Sequence, residues 1–142
     1  MKSIFSAIAA AAALFILSSC GGQPEVNGRW DITSVAGSPV TVADSLSESA
    51  PFIEFNATEG RIHGNTGCNI MNGSYTLDGK KLTLGPVATT MMAGPEAMME
   101  LESKVLDAVN SAASVKSVSE DRLQVLDAEG NVTMEITRAE AE

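Results

Sequence analysis

Ser74-Tyr75-Thr76-Leu77-Asp78-Gly79-Lys80-Lys81-Leu82-Thr83-Leu84 is the stretch that decides the fold. Two short runs of alternating polar and apolar residues flank an Asp-Gly pair. Alternation puts one face of each run on a core, and Asp-Gly supplies the tight turn that joins antiparallel neighbours. The reading extends in both directions. Residues 29–35 alternate, with Trp30, Ile32 and Ser34 on one face, until Gly37-Ser38-Pro39 breaks the run. Phe52-Ile53-Glu54-Phe55 is a strand stopped by Asn56 and Glu59-Gly60. Arg61-Ile62-His63 begins another, and residues 87–91 read as a further short one.

Pro95 opens a different period. Met98, Leu101, Val105, Ala108 and Ala112 recur at spacings of three and four, with Val109 widening the stripe and Glu100, Glu102, Lys104 and Asp107 off it. The spacing predicts one amphipathic helix over about residues 95–112, with Pro95 in its first turn and Glu96 near the positive end of its dipole. Residues 115–119, 123–126 and 132–137 then read as three closing strands. Their turns are Glu120-Asp121 and Glu129-Gly130-Asn131. The predicted class is mainly β: about eight strands in a small, strongly curved antiparallel sheet or barrel, packed by one helix. Trp30 is expected to be buried, since residues 28–138 hold only four aromatic side chains, Trp30, Phe52, Phe55 and Tyr75, with which to fill a core.

The 142 residues allow one domain. Their 44% hydrophobic content hides a split, because residues 4–17 are apolar throughout except for Ser6. With Lys2 ahead of it, that run has the form of a secretory signal peptide over residues 1–19, too short to span a bilayer comfortably. Leu17-Ser18-Ser19-Cys20 resembles a bacterial lipobox, which implies cleavage before Cys20 and a diacylglyceryl thioether on its sulfur. Gly21 stands where lipoproteins retained in the inner membrane often have Asp, so the expected destination is the outer membrane. The expected partner is therefore the membrane itself, through the anchor at Cys20, together with a possible envelope protein.

Residues 20–27 are expected to be a tether, 28–138 the folded domain and 139–142 an acidic tail. Removing residues 1–19 takes away one basic group, Lys2, and leaves 8 basic against 18 acidic residues, a formal charge of −10. That balance argues against nucleic acid, which demands basic patches.

Four pieces then fall in order: Gly28-Arg29-Trp30; Gly64-Asn65-Thr66-Gly67-Cys68-Asn69 followed by Asn72-Gly73-Ser74-Tyr75; Ala88-Thr89-Thr90-Met91-Met92; and an acidic helix start near Glu96. Together they resemble the META domain of the HslJ-like proteins, small envelope-associated bacterial domains. The resemblance covers about 110 residues. It implies a small β-barrel with a helix, an association with heat shock or antibiotic tolerance, and no catalytic residues or cofactor. Gly64, Gly67, Cys68, Asn69, Gly73 and Tyr75 carry it as structural positions. Family members often have a second Cys shortly after the Met of the A-T-T-x-M piece, able to pair with the Cys of G-C-N. Here Gly94 falls at that place, so Cys68 has no intrachain partner.

The residues themselves give the segment 64–72 a conformational reading. Its glycines admit positive φ or close backbone approach, and Asn65, Asn69 and Asn72 can bond to neighbouring backbone. A phosphate-cradling loop is disfavoured, since no Lys or Ser/Thr stands at P-loop spacing. Cys68 with His63 as nucleophile and base lacks an orienting third group. Cys68 is expected instead to be a buried structural thiol. Met91, Met92, Met98 and Met99 could ligate a soft metal, but core packing is the preferred role. Glu96, Glu100 and Glu102 read as a solvated face. No spacing fits zinc or calcium. Asp44-Ser45-Leu46 resembles the O-glycosylation site of Bacteroidetes-type envelope proteins.

Two functions remain: a non-enzymatic envelope lipoprotein serving envelope integrity or stress tolerance, and a small-ligand or metal-binding envelope protein. Large apolar side chains filling the barrel favour the first. An interior cavity with convergent polar groups favours the second.

Overall fold

The computed structural model describes residues 23–41 and 50–140. The predicted signal peptide, Cys20 and Asp44-Ser45-Leu46 lie outside the described residues.

In chain order the elements are β1 (Gly28–Val35), β2 (Ser38–Pro39), β3 (Phe52–Asn56), β4 (Arg61–Asn65), β5 (Ile70–Asp78), β6 (Lys81–Leu84), β7 (Ala88–Thr89), α1 (Glu96–Asn110), β8 (Ser114–Ser119), β9 (Arg122–Leu126) and β10 (Val132–Arg138). Every pairing is antiparallel, running β10-β9-β8-β6-β5-β4-β3-β1. β1 also pairs with β10, from Trp30↔Arg138 to Val35↔Met134, and closes the path into a ring. Eight strands form that ring, as expected. The two-residue strands β2 and β7 hang on β1 and β5. The weakest seam is β6–β8, with a single register pair, Lys81↔Ser114. Leu82 N–H bonded to Ala113 O at 3.0 Å and Val115 N–H to Lys80 O at 2.9 Å hold it.

The Asp-Gly hairpin forms as its sequence dictates. Asp78 pairs with Lys81 around a two-residue turn of Gly79 and Lys80, with Gly79 at φ +61°. Alternation sends Met71, Gly73 and Tyr75 of β5 and Leu82 of β6 inward. The interior is filled by Trp30, Ile32, Val35, Ile53, Phe55, Ile62, Met71, Leu123, Val125, Met134 and Ile136. Onto the same core α1 lays Val105, Ala108 and Val109, three residues of the stripe read from its period. Pro95 stands one residue earlier than expected, as the N-cap, where its missing N–H costs no helical bond.

Four sequence readings are corrected. Ser34 does not share the inner face with Trp30 and Ile32. A bulge between Ile32 and Ser34 adds a residue, so Val35 turns inward instead. Ser38-Pro39 does not simply break the chain; it folds back and pairs with β1. β4 runs on through Asn65 and β5 starts at Ile70, so the predicted turn of 64–72 shrinks to residues 66–69. Gly64 and Gly73 are therefore strand residues. They face Met71 and Ile62 across the ladder, and a Cβ on Gly64 would sit 2.4 Å from Phe52 O and 2.7 Å from the Met71 methyl.

The fourth correction concerns the tether. Pro24 and Val26 are buried, so residues 23–27 belong to the fold. Trp30 Nε1–H donates to Val26 O at 2.8 Å. The Arg138 guanidinium lies 4.2 Å from the Trp30 ring centroid and donates to Asn27 O at 3.0 Å and Glu25 O at 3.4 Å. A buried indole N–H needs an acceptor, and the entering chain supplies it. At the other end, Ala139 N–H bonds to Arg29 O at 3.0 Å, carrying the ladder into the predicted tail.

Trp30 is 0% exposed, as expected. Trp30→Ala should lower unfolding free energy by about 3–5 kcal/mol, measured by chemical denaturation. Trp30→Phe, which keeps most of the apolar volume but drops the bond to Val26, should cost distinctly less. Equal losses for the two would place the energy in the hydrogen bond rather than in packing.

Candidate functional site

Gly67, Cys68 and Asn69 of the family-like motif meet Thr90 and Met92 of its later piece in one place, where the turn 66–69 adjoins the segment after β7 and the flank of α1. Thr66, fully buried, organises the turn. Its Oγ1 accepts from Asn69 N–H at 2.9 Å and Cys68 N–H at 3.3 Å and donates to Asn69 O at 3.1 Å. Asn65 Oδ1 accepts from Gly67 N–H at 2.7 Å. Gly67 has φ +102°, a conformation that side chains disfavour, and Leu101 and Met98 of α1 pack over it.

Asn69 is 4% exposed, and its amide is spent in full. Oδ1 accepts from Thr90 Oγ1–H at 2.8 Å and Met92 N–H at 2.7 Å. Nδ2 donates to Met92 O at 3.1 Å and Glu102 Oε2 at 2.8 Å. Two acceptor sites and two N–H groups are all that a carboxamide has. Thr90 is tied back in turn, accepting from Ile70 N–H at 3.1 Å. One side chain thus joins the turn, the β7 exit and the helix. Among the described residues no buried side-chain polar atom lacks a partner.

Asn65 bonds to nearby backbone as its type predicts, but Asn69 reaches distant segments. Asn72 pairs instead with His63, Nδ1 to Oδ1 at 3.0 Å, across β4 and β5 on the exposed face. The Cys68 side chain sits beside the same acceptors: its Sγ lies 3.6 Å from Met92 O and its thiol faces Glu102. The structure does not bring His63 and Cys68 together as base and nucleophile. Tyr75 is buried, its ring edge-on to Phe55 at 5.0 Å. Burial first, and then the Glu25 carboxylate, push its phenol pKa up.

Three expectations fail here, each for a local reason. Cys68 is half-buried rather than inaccessible. The residue opposite is Gly94, which has no side chain to cover the sulfur; a Cβ there would lie 2.9 Å from Sγ. Desolvation first, and then the Glu102 charge, raise the thiol's pKa, so little thiolate forms at neutral pH. Glu102 is not solvated surface but half-buried and bonded to Asn69. Its position four residues after Met98, on the margin of the apolar stripe, was the available signal. Finally, only Met98 of the four clustered methionines packs in the core; Met91, Met92 and Met99 are exposed. Thr66 and Thr90 were not singled out by sequence, since nothing local marks a hydroxyl whose partners come from other segments.

Removing the Asn69 amide should be expensive. Asn69→Ala leaves Met92 N–H and Glu102 short of partners, and should cost about 2–4 kcal/mol by chemical denaturation. Asn69→Asp keeps the shape but loses both donors and sets a carboxylate against Glu102. Like charge raises the folded-state pKa there, so its stability should recover as pH falls through the carboxylate range.

Gly94 has no positive φ, so its backbone accepts a side chain, and the 2.9 Å from its Cβ position to Cys68 Sγ suits a disulfide. Gly94→Cys should form a disulfide with Cys68. Closing a loop of roughly 27 residues should add about 3 kcal/mol. The gain is expected to appear as a higher Tm that dithiothreitol abolishes, and not in a Cys68→Ser background.

The sequence matches the family model of the META domain over residues 23–140. No curated protein matches the chain. One protein of known NMR structure is 26% identical, with a TM-score of 0.58, covering 79% of this chain and 89% of its own. A protein from Burkholderia xenovorans, also solved by NMR, is 19% identical with a TM-score of 0.62, covering 99% of this chain and 100% of its own. A DUF4847 family protein from Bacteroides vulgatus ATCC 8482, solved by crystallography, is 13% identical with a TM-score of 0.58, covering 82% and 96%. The last two share the fold alone. The match spans the turn, the β7 exit and the helix that Asn69 joins, as well as the ring of strands around them: the chain belongs to the META domain family.

Proposed function

We propose that this protein is a non-enzymatic lipoprotein of the outer membrane, held at the bilayer by a lipid on Cys20 and serving envelope integrity or stress tolerance through contact with an envelope protein. The observation that carries this reading is the use of the polar motif. Thr66, Asn69 and Thr90 spend their hydrogen-bonding groups on one another, on backbone and on Glu102, and so act as architecture. The filled interior supports it too. Trp30, Ile53, Phe55, Met71 and Ile136 occupy the space where a barrel-borne ligand would sit. A groove of about 640 Å³, between residues 23–27 and residues 75–77, is open to solvent.

The short lead to the fold has a geometric consequence. Pro24 is already packed, so the four steps from Cys20 can reach roughly 14 Å at full extension. A barrel on so short a lead rides against the headgroups and meets partners within or on the membrane. Two or more acyl chains make such an anchor stable where one would be marginal.

The test is a deletion strain complemented with the wild-type chain or with Cys20→Ala. Wild type should partition into detergent and restore tolerance to heat or envelope-directed antibiotics. The variant should stay soluble or unprocessed and fail to restore it. Unchanged detergent partitioning of Cys20→Ala would refute the anchor.

A further inference from the structure

Beside the Asn69 node lies a groove of about 380 Å³ between the segment after β7 and α1. Met91, Met92 and Met99 line it, with Glu102 and Asn69 beside them. Their exposures are 92%, 60% and 46%. Only four large apolar residues of the described chain are exposed to this degree, and three of them are these methionines. Leu, Ile or Val would furnish a merely apolar wall. What three methionines add is three polarizable thioethers on the lining of one groove.

We propose that this groove is a thioether site for a soft monovalent cation, Cu(I) or its analogue Ag(I), with Met91, Met92 and Met99 as ligands and the Glu102 carboxylate supplying the neutralising charge. Thioether sulfur selects soft cations over hard or borderline ones. A lining of three thioethers and one carboxylate is a poor match for zinc or calcium. The site is also preorganised: Asn69 grips Met92 by both its N–H and its C=O, at 2.7 and 3.1 Å, so the backbone that carries one sulfur is fixed. Met99 projects from a helix, and Asn69 holds the carboxylate at 2.8 Å. The formal charge of −9 draws cations to the surface as a whole.

Cys68 provides the discriminating control. Its sulfur lies 3.6 Å from Met92 O and faces Glu102 from outside the groove lining, so removing it separates thiol from thioether binding. The experiment uses the full chain in detergent with Cys20→Ser, which leaves Cys68 as the one thiol. Ag(I), and Cu(I) under reducing conditions against a colorimetric Cu(I) chelator, would be titrated while the methyl signals of 13C-methyl-methionine are followed. One equivalent should shift Met91, Met92 and Met99 together and leave the buried Met71, Met98 and Met134 unmoved. Met91→Leu/Met92→Leu/Met99→Leu should abolish stoichiometric binding with an unchanged Tm, since exposed side chains are replaced by ones of similar volume. Glu102→Gln should weaken it about tenfold. A further Cys68→Ser change should leave binding in place. The proposal is overturned if the triple variant binds as well as its parent, if Cys68→Ser abolishes binding, or if no methyl signal moves.

Discussion

The carboxamide of Asn69 is the point on which the rest of the architecture depends. Its four hydrogen bonds tie the turn between β4 and β5 to Thr90, Met92 and Glu102. Those partners lie 21, 23 and 33 residues away in sequence. At 4% exposure, each unmade bond would carry a desolvation cost, so the amide fixes several segments at once or none of them. It also sets the place at which the chain leaves β7 and enters α1. The helix can lay Val105, Ala108 and Val109 on the core only if it starts there.

A second constraint acts at the opposite end of the chain. Trp30, central on β1, pairs with Ile53 on one side and Arg138 on the other, and so stands where the ring closes. Its indole bond to Val26 and the Arg138 bonds to Asn27 and Glu25 bring the first and last described segments together. Closure removes the two free edges that an open sheet of this size would expose. In a lipoprotein the same knot would fix the barrel's orientation relative to its anchor.

With the interior filled and the motif polar groups satisfied, the chemistry left over is on the outside. The methionine groove is the part of that surface whose side chains are least explained by folding. Met91, Met92 and Met99 lie outside the buried core, yet the Asn69 node that the fold requires holds one of them in place. The node and the groove thus share one residue, Asn69.

Sequence by itself determined what depends on neighbours a few residues apart. The Asp78-Gly79 hairpin, the stripe of α1, the closing strands and the burial of Trp30 all follow from periods of two and 3.6 and from turn chemistry. The ordered motif pieces pointed to the family, and the gap at Gly94 identified Cys68 as unpaired. Only the tertiary structure decided the rest, because bulges and long-range bonds leave no local period. The bulge in β1 that turns Val35 inward, the burial of Pro24 and Val26, the roles of Thr66, Thr90 and Glu102, and the exposure of three methionines depend on partners from other segments. A methionine reads alike in a core and on a rim, since the thioether suits both. Which one it occupies is fixed only when the helix docks and one face of it is taken by the barrel.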